Sequence, residues 1–167
     1  YTLPTLVMCD MLGITKQECS DEMLAQLNQA IADSFLVFET RALEPAELAL
    51  ANRQIEFLND YFNDLFKRRM KSPQDDLATA LVTTREGNDR LTPEEMTISI
   101  IGMFGAGFET TAHMIGNGLL ALHRAPQQWR KLVEQPELAA AATEEILRYD
   151  SSLQATYRTA LVDNTIA

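Results

Sequence analysis

The stretch that decides the fold runs from Pro93 to His123 and reads PEEMTISIIGMFGAGFETTAHMIGNGLLALH. It is introduced by Thr92-Pro93-Glu94-Glu95, in which a threonine, a proline and a glutamate three residues after the threonine form the pattern of a capping box. No further proline occurs until Pro126. The stretch therefore predicts one helix of about 30 residues, close to 45 Å long at 1.5 Å per residue.

The middle of this predicted helix is rich in glycine, because Gly102, Gly105 and Gly107 fall within six positions. Each glycine inside a helix costs about 1 kcal/mol relative to alanine. A helix that carries all of them is expected to let another group approach its backbone closely. The segment Ala106-Gly107-Phe108-Glu109-Thr110-Thr111 combines this small surface with an acid and two hydroxyls.

Two short patterns could carry chemistry, and each has a purely structural alternative. Glu109 and Thr110 are costly inside a protein unless they are satisfied, which makes them candidates. Alternatively, a threonine can bond the carbonyl four residues earlier, and Glu109 can pair with His113 one turn later. Glu145 and Arg148 lie three residues apart, on one face of a predicted helix, where an exposed ion pair contributes little.

Amphipathic helices are predicted on both sides of the long helix. Apolar residues recur at three- and four-residue steps within 23–38 and within 48–66. A short helix is predicted over Asp75–Thr84, followed by a turn over Arg85–Arg90. Helix starts are predicted at four prolines: Pro73 (capped by Ser72), Pro93, Pro126 and Pro136. Only Tyr157–Ala167 reads as a strand, so the predicted fold is mainly α.

A basic cluster closes the second of these helices: Lys67, Arg68, Arg69 and Lys71. Basic side chains are favourable at the negative end of a helix dipole, so we interpret the cluster as a solvated helix end. An anion-binding or partner-binding patch is the alternative, and the acidic surroundings disfavour it.

Composition excludes several functions. The chain has 167 residues and a net charge of −10, which disfavours binding to nucleic acid or to an anionic membrane. Two cysteines make neither a disulfide scaffold nor a structural zinc site. No signal-peptide pattern and no run of 18 apolar residues is present, which predicts a cytoplasmic protein.

Together and in this order, the two short patterns resemble those of the cytochrome P450 family of haem-thiolate monooxygenases. Ala106–Thr110 is similar to the family's oxygen-binding motif, A/G-G-x-D/E-T, and Glu145–Arg148 is similar to its E-x-x-R helix. Leu6–Gly13 and Asp75–Val82 resemble the segments that precede the F helix and the central helix in bacterial members. Leu147–Ser152 then continues as expected, so the resemblance covers essentially the whole chain.

The resemblance implies a role for each matching residue. Thr110 would hydrogen-bond dioxygen or its water at the haem iron and help deliver protons, and Glu109 would link that site to solvent. Ala106 and Gly107 would form a widened turn beside the haem, and Arg158 would pair with a haem propionate. The remaining pair, Glu145 and Arg148, would be structural. No metal ligand is predicted.

The sequence also departs from the family pattern. The iron ligand of the family is a cysteine in an F-x-x-G-x-x-x-C-x-G loop beyond the E-x-x-R helix, and no such loop occurs in these residues. Cys9 and Cys19 lack that context, and we interpret both as unreactive thiols. Neither His113 nor His123 is favoured as a substitute ligand. Larger apolar residues often stand at Gly102 and Gly105, so either a roomier pocket or close helix packing is predicted there.

We therefore expect a partial cytochrome P450 domain: residues 1–91 before the long helix, 92–124 the long helix, 125–150 the helices ending in E-x-x-R, and 151–167 the start of a sheet. The complete enzyme would use haem, a small organic substrate and a ferredoxin-type or flavin redox partner. This chain alone is predicted to be inactive. One alternative is a truncated, non-catalytic helical relative that self-associates or binds a partner. A helical metal protein using Glu109 and His113 is a weaker alternative.

Overall fold

The computed structural model describes residues 2–39, 41–84, 91–156, 158 and 160–162, and within them the secondary structure is helical. Seven α-helices occur in these ranges: α1 Thr2–Met11, α2 Asp21–Ser34, α3 Pro45–Lys71, α4 Leu77–Thr83, α5 Pro93–Arg124, α6 Pro126–Glu134 and α7 Ala139–Tyr149. Short 3₁₀ turns occupy Phe35–Phe38 and Pro136–Leu138. The mainly α prediction is confirmed.

Helix α5 begins as the sequence predicts. The backbone N–H of Thr92 donates to Glu95 Oε2 at 2.8 Å, and the backbone N–H of Glu95 donates to Thr92 Oγ1 at 3.2 Å. These reciprocal bonds satisfy two of the donors that a helix start leaves unpaired. The helix then continues for 32 residues to Arg124, so the long central helix is confirmed.

Two details differ from the sequence-based expectation. Ser72 does not start a helix: its backbone N–H donates to the Arg68 carbonyl at 2.9 Å, so it ends α3. Asp76 caps α4 instead, since its Oδ1 accepts from the Thr79 N–H at 2.6 Å. The predicted turn at Arg85–Arg90 lies outside the described residues. So does most of the predicted strand, and Arg158 and residues 160–162, which are described, are not in a strand.

The chain divides into two compact units, Tyr1–Glu109 and Thr110–Ala167. The first unit contains a hydrophobic core to which α1, α2, α3, α4 and the first half of α5 contribute. Phe62 and Phe104 meet there edge to face, with ring centroids 5.8 Å apart, and both are fully buried. Burying such a ring contributes about 1.5–3 kcal/mol, which makes this α3–α5 contact a main source of stability.

The second unit contains the end of α5 together with α6 and α7. Neither α6 nor α7 has a buried residue. Gly118 of α5 is buried, and a Cβ atom at that position would lie 2.8 Å from Ile146 Cδ1 of α7. Large apolar side chains of these helices stay exposed, among them Trp129 at 44% and Val133 at 65%. The described part of this unit therefore lacks a core of its own.

Arg69 is the most deeply buried charged group among the described residues, with 1% of its surface exposed. Its guanidinium donates to Asp76 Oδ2 at 2.5 Å, to Glu18 Oε1 at 3.0 Å and to the Gly13 carbonyl at 2.5 Å. Gly13 has φ +71°, and a Cβ there would lie 2.6 Å from the Asp76 carboxyl carbon. The interpretation of the basic cluster as a solvated helix end is therefore wrong for Arg69, which joins three segments of the first unit.

Replacing Arg69 with lysine is expected to lower the free energy of unfolding by about 3–5 kcal/mol, because one ammonium group cannot serve the three acceptors and the Asp76 carboxylate stays buried. Urea denaturation followed by circular dichroism measures the change. The exposed Lys67→Ala in the same cluster is the control and should change stability by no more than about 0.5 kcal/mol. Equal effects of the two variants would contradict the structural role of Arg69.

The same cluster predicts a loss of stability in acid. The hydrogen bond from Arg69 lowers the pKa of Glu18 below its ordinary value of 4.5. A carboxyl whose pKa is lower in the folded state stabilises the fold above its unfolded-state pKa, and this contribution disappears as the pH falls through the folded-state value. Urea midpoints measured from pH 7 to pH 3 should fall below about pH 4.5, and less steeply for Glu18→Gln. An unchanged slope in that variant would contradict the assignment.

Candidate functional site

One face of α5 within the first unit is apolar and open. Ile98, Gly102 and Ala106 follow one another at four-residue steps, which places them on one side of the helix, and all of them are exposed. Ile98 is 69% exposed. A Cβ atom added at Gly102 would have no neighbour within 4 Å. We call these residues the open strip; it offers a flat, apolar surface with little side-chain bulk.

Two glycines flank the open strip, and other helices of the first unit pack against both. A Cβ at Gly105 would lie 2.9 Å from Phe35 Cε1 and 3.2 Å from Ile31 Cγ2. A Cβ at Gly107 would lie 2.7 Å from Met8 Sδ. Since neighbouring residues point about 100° apart around a helix, these contacts lie on opposite sides of Ala106.

The contacts decide between the two expectations for the glycines. Close packing is confirmed at Gly105, where the aromatic ring of Phe35 fills the space that a side chain would take. A roomier pocket at Gly105 is therefore wrong. At Gly102 the space is open, so the roomier pocket stays a prediction at that position.

The acid and the hydroxyl of the motif follow the open strip along α5. Glu109 and Thr110 come three and four residues after Ala106, so both lie on the side of the helix that carries Ala106. Both are half-buried. Arg158 lies after α7, in a described and exposed part of the chain. The roles assigned to these residues stay predictions.

Glu145 and Arg148 form an ion pair on α7. Arg148 Nε donates to Glu145 Oε2 at 2.7 Å, and Nη2 donates to Oε1 at 2.6 Å. This hydrogen bonding lowers the pKa of Glu145. The side chains are 59% and 69% exposed, so water screens the pair and its contribution to stability is small. The predicted pairing on one helix face is confirmed, while its importance for the fold stays a prediction.

Neither cysteine has the environment of a metal-binding thiolate. Cys9 and Cys19 are free thiols, and both are buried in the first unit. Burial, with a smaller contribution from Cys19, raises the pKa of Cys9 to about 11. Burial also raises the pKa of Cys19. Because the deprotonated thiolate is the form that ligates a metal, both residues fit the unreactive interpretation.

The described residues provide neither a metal-binding cluster nor a membrane-spanning helix. No group of three or more histidine, cysteine or acidic side chains is arranged to hold a metal ion there. Nor does any helix among those residues combine the length and hydropathy that a membrane crossing requires.

Comparison with known proteins identifies the family. The family model described as Cytochrome P450 matches residues 7–167. The chain belongs to the cytochrome P450 family. The biotin biosynthesis cytochrome P450 of Bacillus subtilis is 43% identical over 165 residues, which are 98% of this chain and 40% of that protein. Cytochrome P450 CYP107DY1 of Priestia megaterium is 33% identical over 89% of this chain and 34% of its own length.

Solved P450 structures have the same helical arrangement. P450BioI, in complex with an acyl carrier protein that carries hexadec-9Z-enoic acid, superposes with a TM-score of 0.76 at 32% identity. The match covers 89% of this chain and 36% of that one. The P450 PksS of Bacillus subtilis 168 gives a TM-score of 0.75 at 30% identity, over 89% of this chain and 35% of its own. The chain thus spans about 40% or less of the P450 relatives that it matches.

Sequence reasoning missed the contacts that hold the P450 motif in place. Nothing in the spacing of Phe35 or Met8 indicated that they pack against Gly105 and Gly107. The available signal was the three glycines within six residues. They predict that another group approaches the helix closely, but they do not indicate which residue that group is. The burial of Arg69 was missed as well, because its partners Gly13 and Glu18 lie more than 50 residues earlier in the chain.

Proposed function

We propose that this chain is the central portion of a haem-thiolate cytochrome P450 monooxygenase that oxidises an apolar organic molecule with dioxygen. The observation that carries the proposal is the open strip on α5, which is continuous along the helix with Glu109 and Thr110. A flat apolar surface with an acid and a hydroxyl beside it suits a planar, largely apolar cofactor at which protons must be delivered. Membership of the P450 family supports haem as that cofactor.

The residues of this chain would hold and serve the haem as follows. Ala106 and Gly107 would lie beside the haem, where the absence of bulky side chains would let the flat macrocycle approach α5. Arg158 supplies a guanidinium suited to a carboxylate such as a haem propionate. Bound haem supplies the redox chemistry that activates dioxygen. The protein contributes positioning, exclusion of water and control of protons.

Proton delivery would fall to two neighbouring groups on α5. The Thr110 hydroxyl can hold a proton at Oγ1 and donate it, and the same oxygen can accept a proton from water. Glu109, half-buried, can exchange protons with solvent at its carboxylate oxygens. Phe35 and Ile31 on one side of the strip, and Met8 on the other, pack against the helix backbone.

The thiolate ligand would come from outside these residues, because Cys9 and Cys19 are buried and Cys9 has a pKa raised to about 11. In the complete enzyme, electrons would arrive from a ferredoxin-type or flavin partner. Membership of the P450 family supports an organic substrate, and two ligand types seen in related structures are the natural probes. One is the hexadec-9Z-enoyl chain of the P450BioI complex, and the other is testosterone, which a P450 with 26% identity to this chain binds.

The proposal predicts different spectra for this chain and for the complete enzyme. Each is mixed with haem, reduced and exposed to carbon monoxide, and the absorption band of thiolate-ligated haem is recorded. We expect that band from the complete enzyme and not from the 167-residue chain, whose thiols are buried and protonated. A thiolate band from the chain alone would contradict the assignment of the cysteines. Its absence from the complete enzyme would contradict the proposed function.

Thr110→Ala in the complete enzyme is expected to lower the product formed per dioxygen consumed by about tenfold or more, because a positioned proton donor contributes at least that factor. The missing product should be replaced by hydrogen peroxide, measured alongside oxygen uptake. Thr111→Ala is the matched control, since it removes a neighbouring hydroxyl that points to another side of α5. Unchanged coupling in Thr110→Ala would refute the role in proton delivery.

A further inference from the structure

We propose that Met8 is a positioning residue for proton delivery: its thioether lies on the backbone of α5 at Gly107 and bounds the side of the helix from which Thr110 projects. This inference rests on the proposed function. It gives Gly107 a second role, because the space in the direction of its missing side chain is filled from α1. The effect of Met8 on the reaction is indirect and acts through α5.

The Met8 side chain lies along the glycine. A Cβ atom at Gly107 would lie 2.7 Å from Met8 Sδ, 3.3 Å from its Cγ and 3.5 Å from its Cε. The stretch from Cγ to the terminal methyl group therefore covers one patch of helix backbone, which suits an unbranched thioether. Met8 is 9% exposed and belongs to the hydrophobic core of the first unit, so this contact is part of the core packing.

Helix α1 holds the Met8 side chain in this position. Thr5, Met8 and Cys9 lie at three- and four-residue steps and are all buried, so they form the inward face of α1. One turn before Met8, Thr5 Oγ1 donates to Asn28 Oδ1 of α2 at 3.2 Å. The part of α1 that carries Met8 is therefore fastened to α2 as well as packed against α5.

Thr110 projects beside the position that Met8 covers. At about 100° per residue, Thr110 leaves α5 about 40° from Ala106 on one side and about 60° from Gly107 on the other. Helical side chains also lean towards the start of their helix, so Thr110 leans over the turn that contains both residues. Its hydroxyl can face the open strip next to Ala106 or turn towards Gly107. The Met8 thioether bounds the second of these sides.

The chemistry of that boundary favours one orientation of the Thr110 hydroxyl. A thioether donates no hydrogen bond and is a weak acceptor, so a hydroxyl turned towards it loses hydrogen bonding. On the open strip the same hydroxyl can reach water and the proposed site of oxygen activation. Without the thioether, space opens at Gly107 and the hydroxyl can turn away. Since a misplacement of about 1 Å can remove most of the effect of a catalytic group, Met8 should matter for catalysis.

The first test uses the complete haem-containing enzyme with hexadec-9Z-enoic acid and measures product and hydrogen peroxide per dioxygen consumed. Met8→Ala should lower the product per dioxygen by about threefold or more, with unchanged affinity for the acid in the haem spectrum. Met8→Leu conserves the apolar volume and should recover most of the loss. Cys9→Ala is the matched control, because it truncates a buried neighbour on α1 and should leave the ratio unchanged.

The link to Thr110 is tested by combining the variants. In the Thr110→Ala background, Met8→Ala should have no further effect on the product per dioxygen, because the hydroxyl that Met8 positions is already absent. Additive losses in the double variant, or an unchanged ratio in Met8→Ala, would overturn this inference. A normal thiolate band together with a loss of product in Thr110→Ala would then leave the proposed function standing.

The contact itself is tested without haem, in the 167-residue chain. Met8→Ala should lower the urea midpoint. In the Gly107→Ala background the added methyl group fills part of the space, so the loss should be smaller, which a double-mutant cycle measures. Gly102→Ala is the matched control, because its methyl group meets no neighbour and should show no coupling to Met8→Ala. Equal coupling with both glycines, or none with Gly107, would overturn the inference.

Discussion

The packing of two helices against the glycines of α5 is the constraint on which the proposed site depends. Gly105 contacts Phe35 of the 3₁₀ turn after α2, and Gly107 contacts Met8 of α1, so other segments pack against both flanks of α5 while the face between them stays open. Glycine in a helix is unfavourable by itself, and at Gly105 the cost is offset by packing of the Phe35 ring, which a Cβ would displace. The same contacts that stabilise the first unit therefore define where a flat ligand can approach the helix.

A buried charged cluster joins three other segments of that unit. Arg69, at the end of α3, binds Asp76 at the start of α4 and the Gly13 carbonyl in the connection between α1 and α2. Burial is the largest single effect on the pKa of Asp76 and raises it. Hydrogen bonds from the Thr79 N–H and from Arg69 act in the opposite direction and together outweigh burial, so the pKa lies below its ordinary value. Because the guanidinium has a fixed set of donor directions, its acceptors can be satisfied in one arrangement of these segments. Apolar packing alone would specify that arrangement less strictly.

Local signals in the sequence predicted much of the fold, and the parts that depend on contacts between distant residues escaped prediction. The start of α5 follows from Thr92 and Glu95 because a capping box is a contact over three residues. Ser72 and Pro73 have the local pattern of a helix start, but Ser72 ends α3 and Asp76 caps α4. The motif residues Glu109 and Thr110 could be found from their order, but the ring of Phe35 beside Gly105 joins positions 70 residues apart.

The division of the chain between Glu109 and Thr110 falls inside a continuous helix. On the N-terminal side, α5 packs into a core that contains Phe62 and Phe104. On the C-terminal side, α6 and α7 contain no buried residue. Backbone amides should therefore exchange with solvent deuterium slowly up to about Phe108 and much faster beyond it, although the hydrogen-bonded helix is unbroken. In this 167-residue chain, Glu109 and Thr110 therefore lie on opposite sides of a step in local stability.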